Sequence, residues 1–288
     1  MAGDVFKLGV VKFGCIGAAP LLDLLFDERA DRQDLEVRVF TSGAKLDPES
    51  CVEPTQMAID YKPDLVLSVS PNAALKGPTK SREMLHEAGI PTITISDGPS
   101  EKGFYKKDEE GKKKKSVLDK QGFFILYADS MIGARREFLD PTEMSVFNSD
   151  MIKVLSNTGV MRLLQHEVYA VIDDLRGGKD PKMPTMKVTA EKAVEAGGFS
   201  NPYGAAKAYA ALKIAEAVAD VTVKGCFVEQ EMEKYIPLVA AGHEMMRAAA
   251  MLSDEARELE KSMDTLLRTP HNKKGALQRK TKLGDKPA

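Results

Sequence analysis

The chain is poor in the residues and patterns that most often advertise chemistry. Its three cysteines, Cys15, Cys51 and Cys226, are widely spaced and odd in number, which argues against a disulfide framework and suits a reducing compartment. The four histidines, His86, His166, His243 and His271, are dispersed with no His or Cys pair at ligand spacing, so no metal is expected. A net charge of -2, from 41 basic and 43 acidic side chains, points to neither nucleic acid nor a membrane surface. No stretch approaches the ~18 apolar residues of a membrane span. The start, "MAGDVFKLGVVKFG", has none of the pattern of a secretory signal, and a cytoplasmic protein is expected.

Standard catalytic signatures are missing too. The turn Gly14-Cys15-Ile16-Gly17 lacks the third glycine of G-x-G-x-x-G. The second strand-like run ends in Phe40-Thr41-Ser42, where a ribose-binding acid would stand, so a nicotinamide site is disfavoured. There is no G-x-x-x-x-G-K-[ST] motif and hence no common triphosphatase loop. Ser70 and Ser130 lie outside any G-x-S-x-G elbow, and no histidine stands beside Cys15 in the sequence.

What is present is alternation. Short apolar runs at 6 to 11, 35 to 40, 65 to 69, 92 to 95 and 123 to 127 are rich in Val, Ile, Leu and Phe, and helix-like segments near 17 to 29, 50 to 61 and 78 to 88 separate the first four. Repeated in this way, they predict an α/β fold, with a flavodoxin/Rossmann-like parallel sheet and helices on both faces. Asp140-Pro141-Thr142-Glu143 reads as a helix start with Asp140 as cap. Apolar residues from Met144 to Leu175 follow at helical spacing, predicting one helix of roughly 30 residues. Residues 182 to 199 are expected to hold a small strand or two. Asn201-Pro202 opens an alanine-rich helix suited to close backbone approach, and a last helical region is expected at 229 to 267, interrupted or bent at Pro237. The predicted organisation is an α/β ligand-binding domain at 1-140, a helix bundle at 141-180 and 200-270, a small β segment at 181-199, and a polar tail at 271-288 that is poorly ordered at its end.

Each strand ends in small or turn-forming residues. For a strand order of 2-1-3-4-5, the ligand crevice lies at the carboxyl ends, between the loops at 14 to 17 and 70 to 72. The lysine-rich segment 100 to 121 reads as a solvated loop or short helix, with an arm attracting a polyanion as the alternative. Arg135 and Arg136 fall between the last strand and the first bundle helix. They either pair with Asp140, Glu143 or carboxylates of a neighbouring helix, or face the crevice and hold an anionic part of a ligand through their planar donor forks. The residues alone therefore lead to a flavodoxin-like ligand-binding domain with a helical appendage, chemistry open.

Five stretches, "LLFDERADRQDLEVRVFTSGAKLDPE", "ADSMIGARREFLDPTEM", "NPYGAAKAYAALKIAEAVADV", "GCFVEQEMEKYIPLVAAGHEMMR" and "DEARELEKSMDTLLRTPH", resemble the coenzyme F420-dependent methylenetetrahydromethanopterin dehydrogenases of archaea, over about residues 5 to 271. The resemblance implies reversible hydride transfer between methylene-tetrahydromethanopterin and coenzyme F420, an 8-hydroxy-5-deazaflavin used as a dissociable cosubstrate, in one-carbon metabolism. It further implies no metal and no bound flavin, and a homohexamer built from an α/β domain, a helix bundle and a small sheet. No acid or base is then expected as catalyst, and Asp129 and Glu143 are the candidates for electrostatic help. The coenzyme is expected across Gly14, Cys15, Ile16, Gly17, Ser70, Pro71, Asn72, Asp97 and Gly98. Met131, Ile132, Arg135, Arg136 and Phe138 are expected to touch the pterin. The alternatives are a flavodoxin-like protein that binds ligand without turning it over, and a nicotinamide-dependent dehydrogenase.

Overall fold

The computed structural model describes residues 5–130, 140–280 and 282–286. The chain divides into two compact units, Met1–Leu126 with Leu164–Lys187 and Asn272–Ala276, and Tyr127–Leu163 with Val188–His271 and Leu277–Ala288.

In the first unit, β1 (Phe6–Lys12), α1 (Ala19–Phe26), β2 (Leu35–Thr41), α2 (Pro48–Tyr61), β3 (Leu65–Ser70), α3 (Lys76–Glu87) and β4 (Thr92–Ser96) alternate as the sequence pattern predicts. A 3₁₀ turn (Gly98–Gly103), the hairpin β5 (Tyr105–Lys107) and β6 (Lys113–Lys115), and β7 (Gln121–Leu126) follow. The sheet order is β2-β1-β3-β4-β7, with β8 (Thr185–Val188) added on the far edge, and every pairing from β2 to β7 is parallel. Right-handed crossovers from this order send α2 and α3 to the face opposite α1. Val11, Phe13, Cys51, Ala58, Val66 and Leu85 form the core on the α2 and α3 side. Phe26 of α1 meets Tyr169 with ring centroids 5.4 Å apart, which brings α5 (Val160–Arg176) alongside α1.

The lysine-rich segment differs from the expected loop or short helix. It folds into an antiparallel hairpin with Tyr105 opposite Lys115, because Asp108 and Gly111 supply a turn in which Asp108 Oδ1 accepts the Glu110 and Lys112 amides. Carboxylates meet three of its lysines: Lys112 with Glu110, Lys113 with Glu101 and Lys114 with Asp108. The small strand expected within 182 to 199 is present as β8, but it joins the main sheet instead of forming its own, and Phe123 donates its amide to the Pro184 carbonyl at 2.7 Å.

The second unit is mainly helical. The single long helix expected from residue 141 is two helices, α4 (Pro141–Asn157) and α5. Gly159 between them has φ +98°, and a Cβ there would lie 1.9 Å from the Ala193 carbonyl oxygen. Helical spacing of apolar residues does not register such a break, because only a few residues separate the two halves. Asp140 caps α4, accepting from the Thr142 amide at 2.6 Å. After α6 (Ala190–Gly197), the alanine-rich α7 (Pro202–Val223) packs on α8 (Met232–Ser262). The approach is close at Gly242, where a Cβ would fall 2.1 Å from Thr222 Cγ2. Pro237 lies inside α8 and does not interrupt it. Before the end of the tail, Arg268 and Lys280 exchange two backbone hydrogen bonds of 2.9 Å. No helix among the described residues is long and apolar enough to cross a membrane.

Candidate functional site

The carboxyl ends of β1, β3 and β4 converge at the point where the strand order reverses, and helix starts face the same end. The N-terminus of a helix presents unpaired amides and a partial positive charge, so it attracts anions unless a side chain caps it. After β2, Asp47 caps α2 by accepting from the Ser50 amide. The helices that follow β1 and β3 have no such cap: Ala18 and Leu75 occupy the capping positions of α1 and α3 without a side-chain hydrogen bond. These two helix starts, neither with a side-chain cap, flank the switch point.

The first loop is shaped by Gly14, at φ +68°, whose amide donates to the Gly43 carbonyl at 2.9 Å. A Cβ on Gly14 would meet Leu46 Cδ2 at 3.1 Å and Pro71 Cδ at 3.2 Å, so a glycine brings the β1 and β3 loops together. Cys15 is exposed, Ile16 and Gly17 are buried, and the amides of Cys15 and Ile16 make none of the backbone hydrogen bonds found among the described residues.

The second loop hangs on a polar hub. Alternation along the strands places Ser70 and Ser96 opposite one another on one face of β3 and β4. The Ser96 hydroxyl contacts the Ser70 carbonyl and the Ser100 hydroxyl. Both serines accept from the Ala73 amide, at 3.1 and 2.8 Å. From α3, the guanidinium of Arg82 donates to the Ala73 carbonyl at 2.6 Å and to the Thr79 hydroxyl at 3.2 Å, and it stacks 5.0 Å from the centroid of the Phe104 ring. Arg82 is 6% exposed, and this burial pulls its pKa down to about 10. Asn72 Oδ1 accepts from the Ala74 amide at 3.1 Å, and Asp97 Oδ1 from the Gly98 amide. The Ser70 hydroxyl is buried with no hydrogen-bond partner among the described residues, a vacancy that a polar ligand atom would fill.

Thus Gly14 to Gly17, Ser70 to Asn72, and Asp97 and Gly98 all sit in the three loops at the carboxyl ends of neighbouring parallel strands. Arg82, Ser96 and Ser100, which build the second loop from behind, escape a reading by pattern. In sequence they are a helix arginine and two turn serines. Asp129 is fully buried in the second unit, and Glu143 is exposed in the first turn of α4. Met131, Ile132, Arg135, Arg136 and Phe138 lie outside the described residues. Among the described residues, no three His, Cys, Asp or Glu gather as metal ligands do.

Three loops at the switch point of a doubly wound sheet, beside two helix starts without a side-chain cap, define an α/β protein of the kind whose ligand sites lie at the carboxyl ends of the strands. Residues 6–288 match the model of the methylene-5,6,7,8-tetrahydromethanopterin dehydrogenases, and the chain belongs to that family. It is 56% identical to the F420-dependent methylenetetrahydromethanopterin dehydrogenase of Archaeoglobus fulgidus, over 98% of this chain and 99% of the relative. With the enzyme of the same name from Methanocaldococcus jannaschii it shares 50% identity at the same coverage. A solved F420-dependent methylene-tetrahydromethanopterin dehydrogenase, in complex with methylene-tetrahydromethanopterin and coenzyme F420, superposes with a TM-score of 0.89. The two are 43% identical over 99% of this chain and 100% of that one.

Proposed function

We propose that this chain transfers a hydride reversibly between methylene-tetrahydromethanopterin and coenzyme F420, giving methenyl-tetrahydromethanopterin and the reduced coenzyme. The observation that carries this reading is the full-length likeness to a dehydrogenase solved with both molecules bound. The strand-end loops suit the coenzyme because the α3 start lacks a side-chain cap and the Ser70 hydroxyl has no partner among the described residues, as a phosphate-bearing ring system requires.

The deazaflavin supplies a hydride acceptor at its carbon 5. The carbon that gives up the hydride lies between two nitrogens whose lone pairs stabilise the resulting cation, so no general base is required at that carbon. The protein's main task is then proximity and orientation. Gly14 lets the β1 loop close against Leu46 and Pro71, which sets the spacing of the two loops. The Cys15 and Ile16 amides and the Ser70 hydroxyl donate hydrogen bonds, while Pro71, Asn72, Asp97 and Gly98 shape the remaining wall. Gly17 lets the chain turn into α1. Met131, Ile132, Arg135, Arg136 and Phe138 are assigned to the pterin, and Asp129 and Glu143 are assigned the electrostatic stabilisation of the developing cation. On this reading the chain works in the cytoplasm as a homohexamer.

The test is to mix the protein with methylene-tetrahydromethanopterin and oxidised coenzyme F420 and to follow the loss of the coenzyme's visible absorbance. Turnover with a nicotinamide but not with coenzyme F420 would overturn the proposal, and turnover with neither would favour a binding protein. The replacement Arg136→Ala is expected to weaken one of the two ligands several-fold with the fold intact. Unchanged kinetic constants would leave the arginine pair a structural role only.

A further inference from the structure

The helical unit contains a cavity of about 380 Å³ that none of the contacts proposed above uses. Three guanidiniums line it, from Arg162, Arg257 and Arg268, against the single carboxylate of Glu260. That carboxylate is 2% exposed and already committed. Its Oε1 accepts the Asn201 amide at 2.7 Å, and its Oε2 accepts the Thr265 hydroxyl at 2.6 Å.

Of the three arginines, Arg257 is the one left unoccupied among the described residues. Arg162 donates to the Leu267 carbonyl at 2.7 Å and to the Thr269 hydroxyl at 3.3 Å, and to no carboxylate. Arg268 donates to the Leu266 carbonyl at 2.9 Å and lies 3.9 Å from Asp264, a carboxylate outside the lining that is 42% exposed. Arg257 makes no hydrogen bond or ion pair among the described residues. Pinning the segment after α8 accounts for Arg162 and Arg268. It leaves Arg257 without a role.

Charge and placement both favour an occupant. Three like charges around one cavity repel one another. Glu260 offsets one of them. Arg162 also stands in the first turn of α5, which contains no acidic residue, although a helix N-terminus disfavours a cation and favours an anion. A tetrahedral dianion matches both the surplus of positive charge and the forked geometry of guanidinium donors better than a single carboxylate does. The volume lies within the range of small-molecule sites.

We propose that this cavity is a second binding site, for a phosphate-bearing small molecule held by Arg162, Arg257 and Arg268. The probe is inorganic phosphate, titrated calorimetrically at constant ionic strength into the full-length protein and into Arg257→Gln, whose lost side chain holds nothing else in place. One saturable site is expected, weakened about tenfold or more in the variant, as for loss of a charged hydrogen bond. Absence of saturable binding, or equal affinity in the variant, overturns the proposal. Steady-state kinetics of the same variant separate two sources of the phosphate. A raised KM for coenzyme F420 or the pterin, with phosphate competing, assigns the site to a phosphate group of that cosubstrate. Unchanged kinetic constants with phosphate affinity lost assign it to a separate phosphate-bearing metabolite.

Discussion

Replacing Gly14 with alanine tests how the crevice is built. Two costs act together. At φ +68° a residue with a Cβ pays about 1–2 kcal/mol for the left-handed backbone. The new methyl would also stand 3.1 Å from Leu46 Cδ2 and 3.2 Å from Pro71 Cδ. Overpacking ordinarily costs about 1–3 kcal/mol, and the low end, about 1 kcal/mol, applies because the Leu46 side chain can turn aside while the ring of Pro71 cannot. The sum, about 2–3 kcal/mol, should lower Tm by roughly 5–10 °C for a protein of this size. Displacement of Pro71 should also raise KM for coenzyme F420. Gly43 provides the control, because its φ is +64° but a Cβ there would meet nothing within 4 Å. Gly43→Ala should pay the backbone cost alone and leave KM unchanged. Thermal unfolding followed by circular dichroism, with KM measured on both variants, separates the two costs. Equal KM values for Gly14→Ala and Gly43→Ala would refute the claim that Gly14 sets the approach of the two loops.

Three further substitutions probe other parts of the molecule. Arg82→Met removes the guanidinium bond to the Ala73 carbonyl, which keeps only the Thr79 hydroxyl at 3.2 Å, so it should cost about 1–3 kcal/mol and raise KM for the coenzyme. Urea unfolding that reports the loss while KM stays fixed would remove Arg82 from any part in shaping the β3 loop. In Gly159→Ala the methyl would collide with backbone, 1.9 Å from the Ala193 oxygen, and a loss above about 4 kcal/mol is expected. A loss below about 1 kcal/mol by urea titration would show that α6 yields freely. His243 packs on Phe147 with ring centroids 4.3 Å apart, and burial pushes its pKa down to about 4. Because the folded value lies below the unfolded one of about 6.5, stability is full above pH ~6.5 and falls as pH drops toward 4, by about 1–2 kcal/mol after allowance for solvent screening of a half-buried ring. Urea midpoints for His243→Phe should lose this slope between pH 7.5 and 4, and a variant as steep as the parent would contradict the assignment.

Local pattern made much of this fold legible. The apolar runs at 6 to 11 and 65 to 69 coincide with β1 and β3 to within a residue at each end, since a strand buried on both faces needs an unbroken β-branched or apolar segment. Asp140 and Asn201 mark their helix starts because capping needs only neighbours two or three residues away. The turn residues mark the loops at the strand ends for the same reason. By contrast, the break at Gly159, the hairpin among the lysines and the docking of β8 beside β7 depend on partners far along the chain.

The amino-acid sequence by itself determined the alternation of strands and helices, the strand ends that form the crevice, and membership of the family through several long stretches in order. Only the tertiary structure decided how the crevice is held. Ser96 reaches Ser70 across 26 positions of the chain, and Arg82 bonds back nine residues to the Ala73 carbonyl. The three arginines of the second cavity come from residues 162, 257 and 268. Periodicity registers neighbours along one strand or one helix face. Polar side chains that meet across strands and loops leave no such trace, because their partners are chosen by packing.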